Sequence, residues 1–192
     1  GLAVAAYLDR ARAWSFGLMW LAYLSLIGAG QVFMSYQWDG LLLECGLLAV
    51  LLSLGTPGPD GRREAPAAAR LLFWWLAFRL LFFSGLVKLT SGDTAWRDLS
   101  ALAYHYETQP LPTRFAWWAH QLPDWIQRAS CLAMFLIELG APFLFFTTGR
   151  LRRLAALLQI ALQALIALTG NYTFFNLLTA GLCLVLLDDG WW

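Results

Sequence analysis

The chain contains 192 residues, of which 60% are apolar and 13% are charged, and its mean hydropathy is +0.60. Water-soluble domains carry about 25% charged residues, so this composition excludes a water-soluble fold. The net charge of +1 creates no basic surface of the kind that binds nucleic acid, and nucleic acid is excluded as a partner. The composition therefore indicates a membrane protein, whose first partner is membrane lipid.

Six apolar stretches follow one another along the chain. A helix needs about 20 mostly apolar residues to cross the hydrocarbon core of a bilayer. We therefore predict an all-α fold, a polytopic transmembrane helix bundle of about six spans with one or two interfacial helices on its outer face. Residues 1–192 form a single transmembrane domain, with spans at residues 14–34, 40–54, 71–89, 129–146, 151–169 and 174–187. Five spans is the alternative, if the short second or sixth stretch is re-entrant.

Basic residues are unevenly divided between the two sides of this predicted bundle. With the amino terminus inside, eight arginines lie on the inner side and three on the outer side. This asymmetry follows the positive-inside rule and predicts an inner amino terminus. The richness in Ala, Leu, Gly and Arg points to a GC-rich genome, and hence to a bacterial cytoplasmic membrane. The inner arginines are Arg10, Arg12, Arg62, Arg63, Arg70, Arg150, Arg152 and Arg153, and the outer ones are Arg97, Arg114 and Arg128.

A long polar connection over residues 90–128 faces outward in this topology. Asp93 and Thr94 are residue types that favour helix N-termini. The apolar positions that follow them have helical spacing, until Pro110 and Pro112 end the pattern. A second amphipathic stretch, TRFAWWAHQLPDWIQR, comes next. We predict that these stretches are interfacial helices on the outer face of the membrane.

Tryptophans are concentrated on this outer side. One interpretation is an aromatic belt, because Trp is enriched at membrane interfaces. The alternative is a docking surface for a protein partner, because exposed aromatic side chains also anchor protein contacts. The outer tryptophans are Trp38, Trp96, Trp117, Trp118 and Trp125. The candidate docking face contains Trp38, Asp39, Trp96, His105, Glu107, Gln109, Trp117, Trp118 and His120.

Apart from Arg152 and Arg153 at the inner end of the fifth span, four charged side chains lie inside the predicted spans. A charge in hydrocarbon costs at least about 2.5 to 3.5 kcal/mol, so such residues face the bundle interior and form pairs. Arg79 and Glu138 fall near the middle of their spans, whereas Glu44 and Lys88 fall toward the outer ends. We therefore predict that Arg79 pairs with Glu138 and that Glu44 pairs with Lys88. These pairs either fix helix packing or border an outward polar cavity in which a desolvated Lys88 acts as a base.

The string AYHYETQPLP brings His105 close to Glu107, and His120 follows fifteen residues after His105. Histidine and glutamate are zinc ligands. However, residues two apart on a helix point to different faces, so a hydrogen-bonded structural cluster is favoured and no metal site is predicted. The sequence also contains no GxSxG, Walker or GxGxxG motif. We therefore predict no catalytic residue and no cofactor.

Several long strings closely resemble the transmembrane region of the lipase maturation factor family. They are SYQWDGLLLECGLLA, KLTSGDTAWRDLSALAYHYETQPLP, WWAHQLP, IELGAPF and LTGNYTFFNLLT. The resemblance covers the chain from about Trp20 to Asp189. It implies a polytopic membrane protein, located in the endoplasmic reticulum in animals, that serves secreted lipases as a dedicated chaperone. No catalytic residues are established for the family, and its members extend beyond this chain, which is then a fragment or a reduced homologue.

Three functional hypotheses follow. The leading one is a non-enzymatic integral membrane factor that assists the folding or assembly of an exported client such as a lipase. The second is a structural accessory subunit of a larger membrane protein complex. Both require a protein partner. The third is a membrane enzyme with an outward polar cavity at Lys88, Glu44 and His105.

Overall fold

The computed structural model describes residue 3 and residues 12–57, 63–109 and 111–187. Arg10, Arg62 and Pro110, which the sequence analysis used, lie outside the described residues. The chain separates into two compact units, residues 1–73 and residues 74–192. The described residues are helical almost throughout, so the predicted all-α class is confirmed.

The first unit is a helical hairpin. Helix α1 (Arg12–Gly30) continues into a single 3-10 turn (Gln31–Met34), and α2 (Gln37–Ser53) returns beside it. A two-residue antiparallel ladder follows, in which Thr56–Pro57 pairs with Arg63–Glu64. The hairpin therefore contains the first two of the predicted spans.

The QWDG string, residues 37–40, forms the first turn of α2. Gln37 already begins α2, and Asp39 lies in the first turn of that helix. The Asp39 carboxylate accepts a hydrogen bond from the Tyr36 N–H at 3.4 Å and another from the Tyr23 hydroxyl at 2.5 Å. A carboxylate at a helix N-terminus satisfies free N–H groups and favours the helix dipole, so the helix starts three residues earlier than predicted.

The second unit contains the remaining helices. Helix α3 begins in the first unit and continues into the second. Short helices α4, α5 and α6 follow and lead into α7, which continues through a π turn and a 3-10 segment. Helices α8 and α9 complete the described chain. The bounds are Ala67–Thr90 for α3, Thr94–Arg97 for α4, Ala101–Thr108 for α5, Arg114–His120 for α6, Asp124–Phe135 for α7, Leu136–Gly140 for the π turn, Ala141–Phe146 for the 3-10 segment, Arg150–Thr169 for α8 and Phe175–Leu184 for α9.

Four helical stretches of the described chain are long and apolar enough to cross a membrane. They are Arg12–Met34, Ala67–Thr90, Asp124–Phe146 and Arg150–Thr169. These four stretches contain the four longest predicted spans. Helix α2 has 17 residues and α9 has 10, shorter than a typical span, so the total of six stays a prediction.

The last of the interfacial stretches divides at Pro123. Residues 114–120 form the separate helix α6, whereas Asp124 begins α7 and Trp125 lies in its first turn. Proline is favoured at the start of a helix and an acidic residue favours its first turn. The membrane helix therefore begins five residues before the predicted span at residue 129.

The middle of the α7 span departs from regular α geometry. In a π turn the Ile137 carbonyl needs the N–H group five residues later, but that residue is Pro142, which has none. Gln159 of α8 supplies the missing donor, with its Nε2 atom 2.7 Å from the Ile137 oxygen. Gln159 is completely buried, so this bond connects two membrane helices in the interior of the second unit.

Candidate functional site

A buried ion pair connects α3 to the π turn of the α7 span. The Lys88 Nζ atom lies 2.6 Å from Glu138 Oε2 and 2.9 Å from Oε1, and it also donates to Ser84 Oγ at 3.0 Å. The side chain of Glu138 is 4% exposed and that of Lys88 is 22% exposed. The Lys88 ammonium also lies 5.8 Å from the centre of the Trp96 ring, within the range of a cation-π contact.

The structure pairs Lys88 with Glu138, whereas the sequence analysis assigned Glu138 to Arg79 and Lys88 to Glu44. The register between α3 and the π turn explains why Glu138 meets Lys88. A Cβ atom built on Gly85 would lie 3.1 Å from the Glu138 Cβ, so Gly85 and Glu138 are at the same level. Lys88 is one helical turn from Gly85, whereas Arg79 is about 9 Å away along the axis.

The segment between α3 and α7, residues 91–123, is attached to the end of α8 by two side-chain hydrogen bonds. Gln109 Nε2 donates to the Thr169 carbonyl and Thr113 Oγ1 donates to the Leu168 carbonyl, each at 2.6 Å. We call residues 91–123 the connecting segment, and these four residues the helix-end clasp. Helices leave their last carbonyl groups without intrahelical donors, and the helix-end clasp satisfies two of them.

A third contact lies beside the helix-end clasp. The Tyr172 hydroxyl and His105 Nε2 are 3.1 Å apart, and the two rings are stacked with an interplanar angle of 2°. Burial, with a smaller effect of the Lys88 charge, lowers the pKa of His105, while burial raises the pKa of Tyr172. Both shifts favour the neutral forms of the two side chains, which share one hydrogen bond.

Helix α6 presents an exposed aromatic surface. Trp117 and Trp118 are 58% and 62% exposed, and their rings meet edge to face at 5.0 Å. Phe115 is exposed as well, whereas Ala116 is fully buried on the opposite side of the helix. A polar contact borders this surface, since His120 Nε2 of α6 lies 3.6 Å from Glu107 Oε2 of α5.

The remaining candidate docking residues are less accessible. Asp39 and Gln109 are buried and are used by their own hydrogen bonds, while Trp96 and His105 are partly buried. Trp38 belongs to the first unit, where it stacks on Tyr36 at 4.6 Å. The accessible part of the predicted face in the second unit therefore consists of Trp117, Trp118, Glu107 and, in part, His120. Sequence reasoning did not single out Thr113 or Tyr172, although threonine before RFAWWAH is a favoured helix N-cap.

An open groove of about 560 Å³ lies along the beginning of the connecting segment. Among its lining residues are Asp93, Asp98, Tyr104 and His105. Lys88 does not line this groove, because its ammonium group is directed to Glu138. The groove therefore gives no support to an enzyme that uses Lys88 and His105 in one cavity.

The chemistry available in the described ranges is hydrogen bonding, ion pairing and aromatic contact. Among residues 12–57, 63–109 and 111–187, no three His, Cys, Asp or Glu side chains are grouped as a metal site requires. Within the same ranges, His105 is hydrogen-bonded to Tyr172, and His120 Nε2 lies 3.6 Å from Glu107 Oε2.

The long apolar helices, the interhelical ion pair and the clasped connecting segment define a polytopic α-helical integral membrane protein. The model of the lipase maturation factor transmembrane domain matches residues 1–192. The chain belongs to the lipase maturation factor family, as its sequence strings predicted.

Named relatives agree with this assignment. The chain is 53% identical to human lipase maturation factor 2 over 184 residues. This matched stretch covers 90% of the chain and 26% of the human protein. The chain is 51% identical over 178 residues to the Xenopus laevis protein of the same name, a match that covers 91% of the chain and 25% of that protein. Mouse lipase maturation factor 1 is 37% identical over 173 residues, with 89% and 30% covered. The chain thus spans about a quarter of the length of the factor 2 relatives. No solved structure matches it.

Proposed function

We propose that this chain is the membrane part of a non-enzymatic factor that assists the folding or assembly of an exported client such as a lipase. Family membership supports this class of function, because the relatives are named as lipase maturation factors. The proposal places the amino terminus inside and the connecting segment on the outer side, in a bacterial cytoplasmic membrane or, in a eukaryote, the endoplasmic reticulum. In that orientation the connecting segment faces the compartment into which clients are exported.

The observation that carries the proposal is the exposed aromatic pair on α6. Trp117 and Trp118 expose more than half of their surface on a short helix that is attached to the end of a membrane helix. Large aromatic side chains beside charged groups are typical anchors of protein contacts. Glu107 and His120 provide such groups at the border of the pair. An unfolded or partly folded client exposes the apolar segments that this surface would bind.

Lys88 has a structural part in this proposal. Its two short contacts with Glu138 join α3 to the π turn of the α7 span. In this proposal the ion pair fixes the helices from which the connecting segment begins and at which it ends.

The test replaces Trp117 and Trp118 by Ala in the full-length protein. We expect the yield of active exported client to fall several-fold, while the unfolding midpoint of the membrane protein stays unchanged, because both side chains are exposed. Trp125→Ala is the matched control, since Trp125 is also exposed but lies on the membrane helix α7. A client yield that is unchanged in the double variant, or that falls equally in the Trp125 variant, would overturn the proposal.

A further inference from the structure

The connecting segment is joined to α8 at two positions, one directly after α5 and one directly before α6. Gln109 follows α5 and Thr113 precedes α6, so the two residues are four apart in sequence. They donate to the successive carbonyls of Thr169 and Leu168. Two bonds to one helix end fix the end of α5 and the start of α6 against α8. The helix that follows is therefore placed by these bonds.

Helix α6 depends on this attachment. It has seven residues, and helices shorter than about 12 residues are only marginally stable in water on their own. Thr113 contributes twice, because its hydroxyl donates to the Leu168 carbonyl and accepts from the Ala116 N–H at 3.2 Å. The Thr113 Oγ1 atom thus caps the N-terminus of α6 and also bonds it to α8.

The space around Gln109 is closed, which restricts the amide to one arrangement. Gln109 is 7% exposed. A Cβ atom added to Gly170 would lie 2.8 Å from Gln109 Oε1 and 2.5 Å from the Tyr172 ring, closer than such atoms approach. Glycine at position 170 therefore allows the Gln109 amide and the Tyr172 ring to lie against the end of α8.

We infer that Gln109 and Thr113 are positioning residues for client docking, and that they act by fixing α6 with its aromatic pair at the end of α8. This inference rests on the proposed function, and it goes beyond it by naming two residues that act without touching the client. The competing explanation is that the two side chains only cap α8. That explanation predicts no effect on docking that is separate from stability.

The first measurement is the hydrogen exchange of α6 in the full-length protein in lipid bilayers. In Gln109→Leu the donor to Thr169 is lost, and we expect exchange in α6 to rise at least tenfold. Thr113→Asp keeps an acceptor for the Ala116 N–H but has no proton to donate to Leu168, so it should act in the same way. Thr113→Ser keeps both bonds and should behave like the unchanged protein. Exchange in α6 that is unaltered in the Leu and Asp variants would overturn the inference.

Two controls separate these bonds from general damage. Thr108→Val removes a hydroxyl that bonds only within α5, to the Tyr104 carbonyl, and should leave α6 exchange unchanged. Gln109→Glu has no donor when ionised but regains an O–H donor when protonated. The ratio of its α6 exchange rate to that of the unchanged protein at the same pH should therefore fall toward one as the pH is lowered, whereas the ratio for Gln109→Leu should not. A rise in the Thr108 variant, or no pH dependence of this ratio in the Glu variant, would contradict the role of these bonds.

The second measurement is client yield in the same variants, at matched amounts of folded membrane protein. We expect Gln109→Leu and Thr113→Asp to lower it several-fold and Thr113→Ser to restore it. Faster α6 exchange with an unchanged client yield would refute the positioning role while leaving the proposed function intact. The proposed function fails separately, if removal of the Trp117 and Trp118 side chains leaves client yield unchanged.

Discussion

Replacing Lys88 by Met tests the ion pair that joins α3 to the α7 span. The change removes three contacts of the ammonium group, at 2.6 and 2.9 Å to Glu138 and at 3.0 Å to Ser84. It also leaves the Glu138 carboxylate behind with 4% of its side chain exposed. Removing one partner of a buried pair typically costs about 3 to 5 kcal/mol, because the other charge stays buried without compensation. We expect a loss in the upper half of that range.

The double variant Lys88→Met with Glu138→Leu should be far more stable than the single one. Replacing both charges by apolar groups of similar volume is often neutral or stabilising, so we expect a free energy of unfolding within about 1 kcal/mol of the original. The interaction energy from this double-mutant cycle isolates the pair from other effects of each substitution. It should reach about 3 kcal/mol.

The assay is equilibrium unfolding in lipid bicelles by added denaturing detergent, followed by tryptophan fluorescence. The cycle of Arg79 with Glu138 is the comparison, because sequence position suggested that pair. Arg79 lies about 9 Å along α3 from the level of Glu138, and sites that far apart usually couple by less than about 0.5 kcal/mol. The reasoning is refuted if Lys88→Met costs less than about 1 kcal/mol, or if Arg79 couples to Glu138 as strongly as Lys88 does.

Two further outcomes are expected. Tyr23→Phe removes the hydroxyl that donates to the buried Asp39 carboxylate, and it should destabilise the first unit by about 1.5 to 3 kcal/mol, the range for hydrogen bonds to charged groups. Thermal unfolding measures this loss, and a change below about 0.5 kcal/mol would contradict the role of the bond. Burial lowers the pKa of His105 from its ordinary value of 6.5, so below pH 6.5 the unfolded chain takes up a proton that the folded chain resists. Stability should therefore fall as the pH drops from 6.5 through the folded pKa. The melting temperature of the His105→Gln variant should therefore fall less over this pH range than that of the original protein. An equal fall in both proteins would disprove the contribution of His105.

The membrane helices could be located from the sequence because their signal is local. An apolar run of sufficient length must be a helix in hydrocarbon, since its backbone groups can only be satisfied internally. The predicted spans at 71–89 and 151–169 therefore match α3 and α8 within a few residues at each end. The observed helix ends differ from the predicted ones where a cap sets them, as at Asp39 and Pro123. Side-chain hydrogen bonds and proline geometry determine where a helix starts independently of hydropathy.

The sequence by itself determined the membrane class, the family and the presence of charges that need partners. Composition and apolar run length are sums over neighbouring residues, so no knowledge of distant contacts was required. Only the tertiary structure decided which charges meet, because Gly85 allows α3 to approach Glu138 closely and thereby sets the register for Lys88. It also decided that Gln109 lies buried against Thr169, sixty residues away in sequence. Such contacts depend on the packing of whole helices against each other, which no local pattern of residues specifies.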